Sequence, residues 1–201
     1  MVVTGVYYAL GLIAGGLAAG YFTNPWLGAP FYLLAAFCLY FFRDPDREIP
    51  HGPYAVSPAD GKVVQVKKES ETLTRVSIFL NVFDVHVNRS PIAGKITNVL
   101  YKRGRFLVAS KELASAENEQ NTVTVEGQDG VEVVFSQIAG LIARRIVFWK
   151  RPGDFVTTGE RVGLIRFGSR VDLLFGPQWA VKVRAGERVS AGSSILAERV
   201  G

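Results

Sequence analysis

Gly153-Asp154-Phe155-Val156-Thr157-Thr158-Gly159 and, further along, Gly186-Glu187-Arg188-Val189-Ser190-Ala191-Gly192 spell one short pattern twice: glycine, an acid, any residue, valine, two small or polar residues, glycine. The glycines read as corners between short strands. Outward from both copies the chain keeps the same style. Runs 62–68, 73–80, 95–103, 122–126, 131–137, 144–149, 161–167, 171–175 and 180–184 are rich in Val, Ile, Leu and Phe and are separated by Gly and Pro, which predicts strands. Only 110–118 has helical composition. The expected fold is mainly β, a barrel or sandwich.

The paired corners resemble the turns of biotinyl and lipoyl carrier domains, where short strands fold over one another as a hybrid of barrel and sandwich. That resemblance implies a barrel-sandwich-hybrid-like β-domain over 54–201. It does not bring the carrier function with it, because Lys182 is the only lysine between the copies and lacks the Met or Asp neighbour of a swinging arm. The repeat is expected to be structural, presenting strand 161–167 and its exit at Gly168. A non-enzymatic, membrane-anchored adaptor of this type is one reading of the chain.

All 23 basic and 18 acidic side chains lie at or after Arg43; the first 42 residues carry none. Asn24-Pro25 divides that segment into apolar runs 2–22 and 26–42, which predicts a helical hairpin. Gly28 and Pro30 place the first turn of the second run in the connection. The hairpin either spans the bilayer or dips into one leaflet, with Tyr7, Tyr8, Tyr21, Trp26, Tyr40, Phe41 and Phe42 as interfacial anchors. Absence of Lys or Arg before the first run reads against a cleaved signal peptide. Arg43 and Arg47 favour a cytoplasmic face for the rest, and the charged, Pro-punctuated stretch 43–53 reads as a linker. The surplus of five positive charges suits anionic headgroups; no nucleic-acid motif accompanies it. Cys38 stands alone, which excludes an internal disulfide.

Candidates for chemistry are few. His51, His86 and Cys38 have no metal-ligand spacing, so no metal site is expected. His86, in a polar run, suits proton transfer near neutral pH, and equally suits a hydrogen-bonded strand position. Asp60 precedes Gly61, and Asp-Gly is also the favoured centre of a tight hairpin turn. Gly168-Ser169 between apolar strands reads first as a bend.

Ser57-Pro58-Ala59-Asp60-Gly61-Lys62, Phe83-Asp84-Val85-His86-Val87-Asn88-Arg89-Ser90-Pro91, Glu117-Asn118-Glu119-Gln120-Asn121 and Phe167-Gly168-Ser169-Arg170-Val171-Asp172 stand in the order and spacing of phosphatidylserine decarboxylases. The chain resembles the short, single-histidine branch of that family, from the apolar hairpin nearly to the carboxyl terminus. The resemblance implies a proenzyme that cuts itself between Gly168 and Ser169, leaving 1–168 and 169–201 as a heterodimer with a pyruvoyl group derived from Ser169. Gly168 would remove a Cβ that obstructs the attack. Asp60 would orient and charge the histidine that deprotonates Ser169, and Asn118, Glu119 and Asn121 would contact the headgroup. Longer members place two histidines where this chain has His86 and Arg89, which leaves His86 to serve both self-cleavage and carbanion protonation, or another residue to take one of the two roles. The implied substrate is an anionic serine phospholipid at the cell membrane, and the product is the ethanolamine lipid. An archaeal-type serine lipid and a higher homo-oligomer stay open; against a soluble amino-acid substrate stands the uncharged 42-residue hairpin, which such a substrate would not require.

Overall fold

The computed structural model describes residues 2–109, 112–141, 145–166 and 168–200. The chain forms two compact units, Met1–Asp46 and Arg47–Gly201. In the first, α1 (Val3–Phe22) is a 20-residue helix, roughly 30 Å long. It is long and apolar enough to cross a membrane by length and composition. Asn24 ends the reversal by accepting a hydrogen bond from the Trp26 amide at 3.0 Å, and Pro25 opens a single 3-10 turn, Pro25–Gly28. That turn takes the start of the second apolar run, so α2 (Ala29–Phe41) has only 13 residues. The helices meet through glycine: a Cβ on Gly28 would stand 2.8 Å from the Gly16 carbonyl oxygen. Such small-residue contacts let backbones approach closely, and an alanine at either place would push them apart.

The second unit is antiparallel β. Its strands are β1 (Tyr54–Val56), β2 (Gly61–Lys68), β3 (Thr74–Leu80), β4 (Val87–Arg89), β5 (Gly94–Lys102), β6 (Gln120–Glu126), β7 (Glu132–Ile138), β8 (Ile146–Phe148), β9 (Phe155–Val156), β10 (Arg161–Ile165), β11 (Ser169–Phe175), β12 (Trp179–Val181), β13 (Arg188–Val189) and β14 (Ile195–Arg199). One short helix, α3 (Leu113–Glu117), precedes β6. Among the described residues, eight strands form one sheet in the order β13-β2-β3-β11-β7-β6-β5-β9, beside two small sheets, β1-β14-β12 and β4-β10-β8. Val63, Ile78, Leu80, Val171, Leu173, Phe135, Val123 and Ile96 fill its core. Each such side chain contributes roughly 1.5–3 kcal/mol on burial. Of the expected ranges, Ser110, Lys111, Arg144 and Phe167 lie outside the described residues.

The glycine-bounded repeat turns out to be the two opposite edges of the large sheet. Val189 pairs with Gly61 at one edge, and Val156 pairs with Gly94 at the other. The equivalence extends to the strands that they join, since Ser57-Pro58-Ala59-Asp60-Gly61-Lys62-Val63 aligns with Ser90-Pro91-Ile92-Ala93-Gly94-Lys95-Ile96. Gly192 N donates to Ser57 O and Gly159 N to Ser90 O, both at 2.8 Å; Val63 N donates to Glu187 O and Ile96 N to Asp154 O. The closing glycines Gly159 and Gly192 both have positive φ, and a Cβ on either would fall within 3 Å of the same Ile49 Cδ1. The sheet therefore curls until its two edges meet around one isoleucine.

Candidate active site

Ser169 opens β11, which lies between β3 and β7 near the middle of the large sheet. Alternation along a strand puts Ser169 on the same face as Val171, Leu173 and Phe175, toward the apolar core. Its hydroxyl is fully buried and has no hydrogen-bond partner. A buried hydroxyl left unpaired costs about 1–3 kcal/mol, so its retention asks for a chemical use.

Gly168, immediately before it, has φ +66°. Beyond its chain neighbours, a Cβ there would meet nothing within 4 Å. Glycine is favoured because the backbone enters the left-handed region just where the strand begins. The close approach is at Gly140, whose added Cβ would stand 2.1 Å from the Gly168 carbonyl oxygen. Gly140 thus sits directly against the carbonyl of the Gly168–Ser169 peptide. Its sequence context, a lone glycine after a strand, carries no signal beyond a turn.

His86 reaches the amide of Gly168, one peptide before that carbonyl. It is buried in the segment just before β4, and its carbonyl accepts the Ile165 amide at 3.2 Å, tying it to the end of β10. Its Nδ1 lies 2.9 Å from the Asp84 carbonyl oxygen, and its Nε2 lies 3.3 Å from the Gly168 amide nitrogen. A carbonyl oxygen only accepts and an amide only donates, which assigns the proton to Nδ1 and leaves the Nε2 lone pair facing Gly168. This is the neutral tautomer that a base needs.

Asp60 is held apart from that ring's hydrogen bonds. Arg47 Nη2 donates to both of its oxygens, at 3.0 and 2.7 Å, and the Ala191 amide donates to Oδ1 at 2.7 Å. The Asp84 backbone, and not Asp60, fixes the His86 ring at Nδ1. Nor is Asp60-Gly61 the tip of a hairpin: Gly61 begins β2 with φ +151°, and its added Cβ would lie 2.2 Å from Phe79 O. Arg47, read from the sequence only as a topological charge, is the partner of this carboxylate.

The three polar residues around β6 do not converge on one surface. Asn118 is fully buried, donating to Leu107 O and Ala139 O and accepting from Leu107 N. Asn121 is buried too, in a run of amides in which its Nδ2 donates to Gln137 Oε1 and Gln137 Nε2 donates to Asn88 Oδ1. Only Glu119 is nearer the surface, hydrogen-bonded by the Tyr101 hydroxyl. Burial and that carboxylate push the Tyr101 phenol up to about 12. Among the described residues, no three His, Cys, Asp or Glu side chains are grouped to hold a metal ion.

The unpartnered Ser169 hydroxyl, the left-handed Gly168 and the histidine nitrogen that accepts the Gly168 amide meet at two consecutive residues. A profile of the family described as phosphatidylserine decarboxylase matches residues 34–197. The phosphatidylserine decarboxylase proenzyme of Solibacter usitatus is 66% identical over 200 residues, covering 100% of this chain and 97% of the relative. Proteins of the same name from Desulfotalea psychrophila and Syntrophus aciditrophicus are 48% and 45% identical, over 84% and 90% of this chain and 82% and 88% of their own lengths.

Proposed function

The chain belongs to the phosphatidylserine decarboxylase family and is a decarboxylase, and on that premise we propose that it converts phosphatidylserine to phosphatidylethanolamine with a pyruvoyl group made from its own Ser169. The observation that carries this reading is the buried, unpartnered Ser169 hydroxyl next to Gly168, whose own amide donates to His86 Nε2.

In the self-cleavage, His86 Nε2 takes the Ser169 hydroxyl proton and the oxygen attacks the Gly168 carbonyl carbon. The acyl group moves from nitrogen to oxygen, giving an ester. Loss of the Ser169 Cα proton then breaks the Cβ–O bond, releasing Gly168 as a carboxylate and leaving dehydroalanine at 169. Hydrolysis with loss of ammonia completes the conversion, and the chain becomes 1–168 and 169–201. Gly140 keeps the attacked carbonyl in place by leaving no room for it to swing, and Asn118 holds the neighbouring Ala139 carbonyl. Asn121 acts at a distance as well, through Gln137 and Asn88, on the strand that follows His86. Glu119 is the member of that motif left to meet a headgroup.

When formed, the pyruvoyl carbonyl supplies the electron sink for the carboxyl that is lost. In the acyl shift the departing amine takes the serine proton back from His86; reprotonated from solvent in each turnover, the same imidazole is the donor to the substrate carbon, so it serves both stages. Asp60, fixed by Arg47 and the Ala191 amide, is the carboxylate that supports this imidazole from outside its hydrogen bonds. The apolar hairpin keeps the enzyme at the membrane, with Arg43 and Arg47 favouring the cytoplasmic face.

Intact mass spectrometry and an ethanolamine-lipid assay test the reading. Wild type is expected as two chains with a blocked terminus on the smaller, and Ser169→Ala as one inactive chain. His86→Ala should slow cutting by roughly 10²–10⁴-fold. A wild type that decarboxylates while remaining one uncut chain would falsify the pyruvoyl assignment.

A further inference from the structure

Cutting at Gly168–Ser169 would turn the first residue of a central strand into a chain end. Before the cut, residue 169 is tethered on both sides. Afterwards its pairing is one-sided: it faces Leu80 on β3, whereas the β7 ladder begins only at Arg170 opposite Ile138. Chain ends fray at almost no cost unless they are tied down. A reactive group on a fraying end would lose its alignment, and a displacement of about 1 Å can cost roughly 10²-fold in rate.

The next residue carries a tie. Arg170 points to the face opposite the core, yet it is 1% exposed. Its Nε donates to Asp172 Oδ1 at 2.6 Å, and its Nη2 donates to Ser77 Oγ at 2.6 Å and Gln65 Oε1 at 3.4 Å. One guanidinium therefore spans β2, β3 and β11. Asp172 is braced in turn by Ser115 Oγ of α3 at 2.6 Å, with Arg75 Nη1 at 3.9 Å. A buried ion pair adds little net stability over an apolar side chain of similar size. Directional bonds to two other strands, β3 and β2, do what an apolar chain does not: they fix the position of β11 along its own axis, with Asp172 holding the guanidinium in place.

Resting on the pyruvoyl reading above, we infer that Arg170 is a positioning residue that holds the new terminus in register after the cut and is dispensable for the cut itself. In Arg170→Met, self-cleavage of the full chain in nanodiscs should stay within about threefold of wild type, because the uncut backbone restrains residue 169. In the cut protein, amide exchange at 170–171 and reaction of the terminal carbonyl with hydroxylamine should rise at least roughly tenfold. Turnover should fall at least roughly tenfold with KM unchanged. The uncut Ser169→Ala/Arg170→Met double variant should keep exchange protection close to that of Ser169→Ala. Equal loss of protection with and without the cut, or unchanged exchange and hydroxylamine reactivity in the cut variant, overturns the inference. Ser77→Ala removes one of the bonds without burying an unpaired charge and should move both readouts in the same direction by less; no movement counts against it. If instead wild type itself is uncut and has no carbonyl that hydroxylamine modifies, the pyruvoyl reading has failed, which is a different result.

Discussion

Segments 57–68 with 186–192 and segments 90–102 with 153–159 are two copies of one design, at opposite edges of one sheet, and they differ where chemistry is expected. Both have the Ser-Pro corner, the Gly-Lys strand entry and the closing glycine with positive φ. Only the first has a carboxylate between them: Asp60 takes the Ala191 amide and Arg47, whereas its counterpart Ala93 is exposed and carries no charge. The second copy instead uses Glu160, which accepts the Thr157 amide at 2.8 Å, where the first uses the Ser194 hydroxyl on the Ser190 amide at 2.9 Å. What the copies share closes the barrel; what they do not share is free to have been fitted to a reaction.

The comparison breaks most visibly at Asp60. Asp60→Ala makes the first copy read as the second and should slow self-cleavage by roughly 10²–10⁴-fold. Because the Arg47 pair keeps 14–18% exposure, the stability lost should be only about 1–2 kcal/mol. Cutting at the wild-type rate, followed by gel and mass, would return Asp60 to the scaffold. Next come the shared parts. Gly159→Ala and Gly192→Ala each place a Cβ at positive φ against Ile49 and should cost about 1–3 kcal/mol in urea unfolding, similarly for both. A large cost at one and none at the other would show that the two edges are not mechanically equivalent.

Acid should separate the copies more gently. Burial works to raise the Glu160 carboxyl, but Lys150 and the Thr157 amide outweigh it and hold it below its ordinary value of 4.5. A lowered folded value means that its stabilisation is present above the unfolded pKa and is lost as pH falls through the folded one. Thr157 amide protection should therefore decline below about pH 4.5 while that of Ser190 persists; parallel decline would remove the distinction. The smallest effect is expected for Ala93→Asp, an exposed site, where stability should change by less than about 0.5 kcal/mol and cutting not at all.

The long strands were legible because alternating β-branched residues bounded by glycine leave little choice, as at 62–68 and 122–126. β14 was not: Ile195-Leu196-Ala197-Glu198-Arg199 has the composition of a helix turn, and only pairing with β1 and β12 makes it a strand. β1 and β4, at three residues each, are too short for periodicity to register. Ser169 and His86 could be named from motif order, but Gly140 could not, since its importance is a distance to a carbonyl 28 positions later in sequence. The amides of Asn118 and Asn121 illustrate the opposite failure. A polar run looks like surface, and here two of its members are hydrogen-bonded inside the fold.

The place of β11 between β3 and β7 has a consequence for how the cut protein ends its life. Strands β11 to β14, all on the segment after Ser169, are distributed between the large sheet and β1-β14-β12. A processed molecule would therefore hold its smaller chain by interleaving, with no face along which the pieces could slide apart intact. Once melted, the two chains would have to find each other as separate solutes, so recovery would become concentration-dependent whereas the uncut precursor refolds as one molecule. On this topology a matured molecule would exchange unimolecular refolding for recovery that depends on meeting its partner chain.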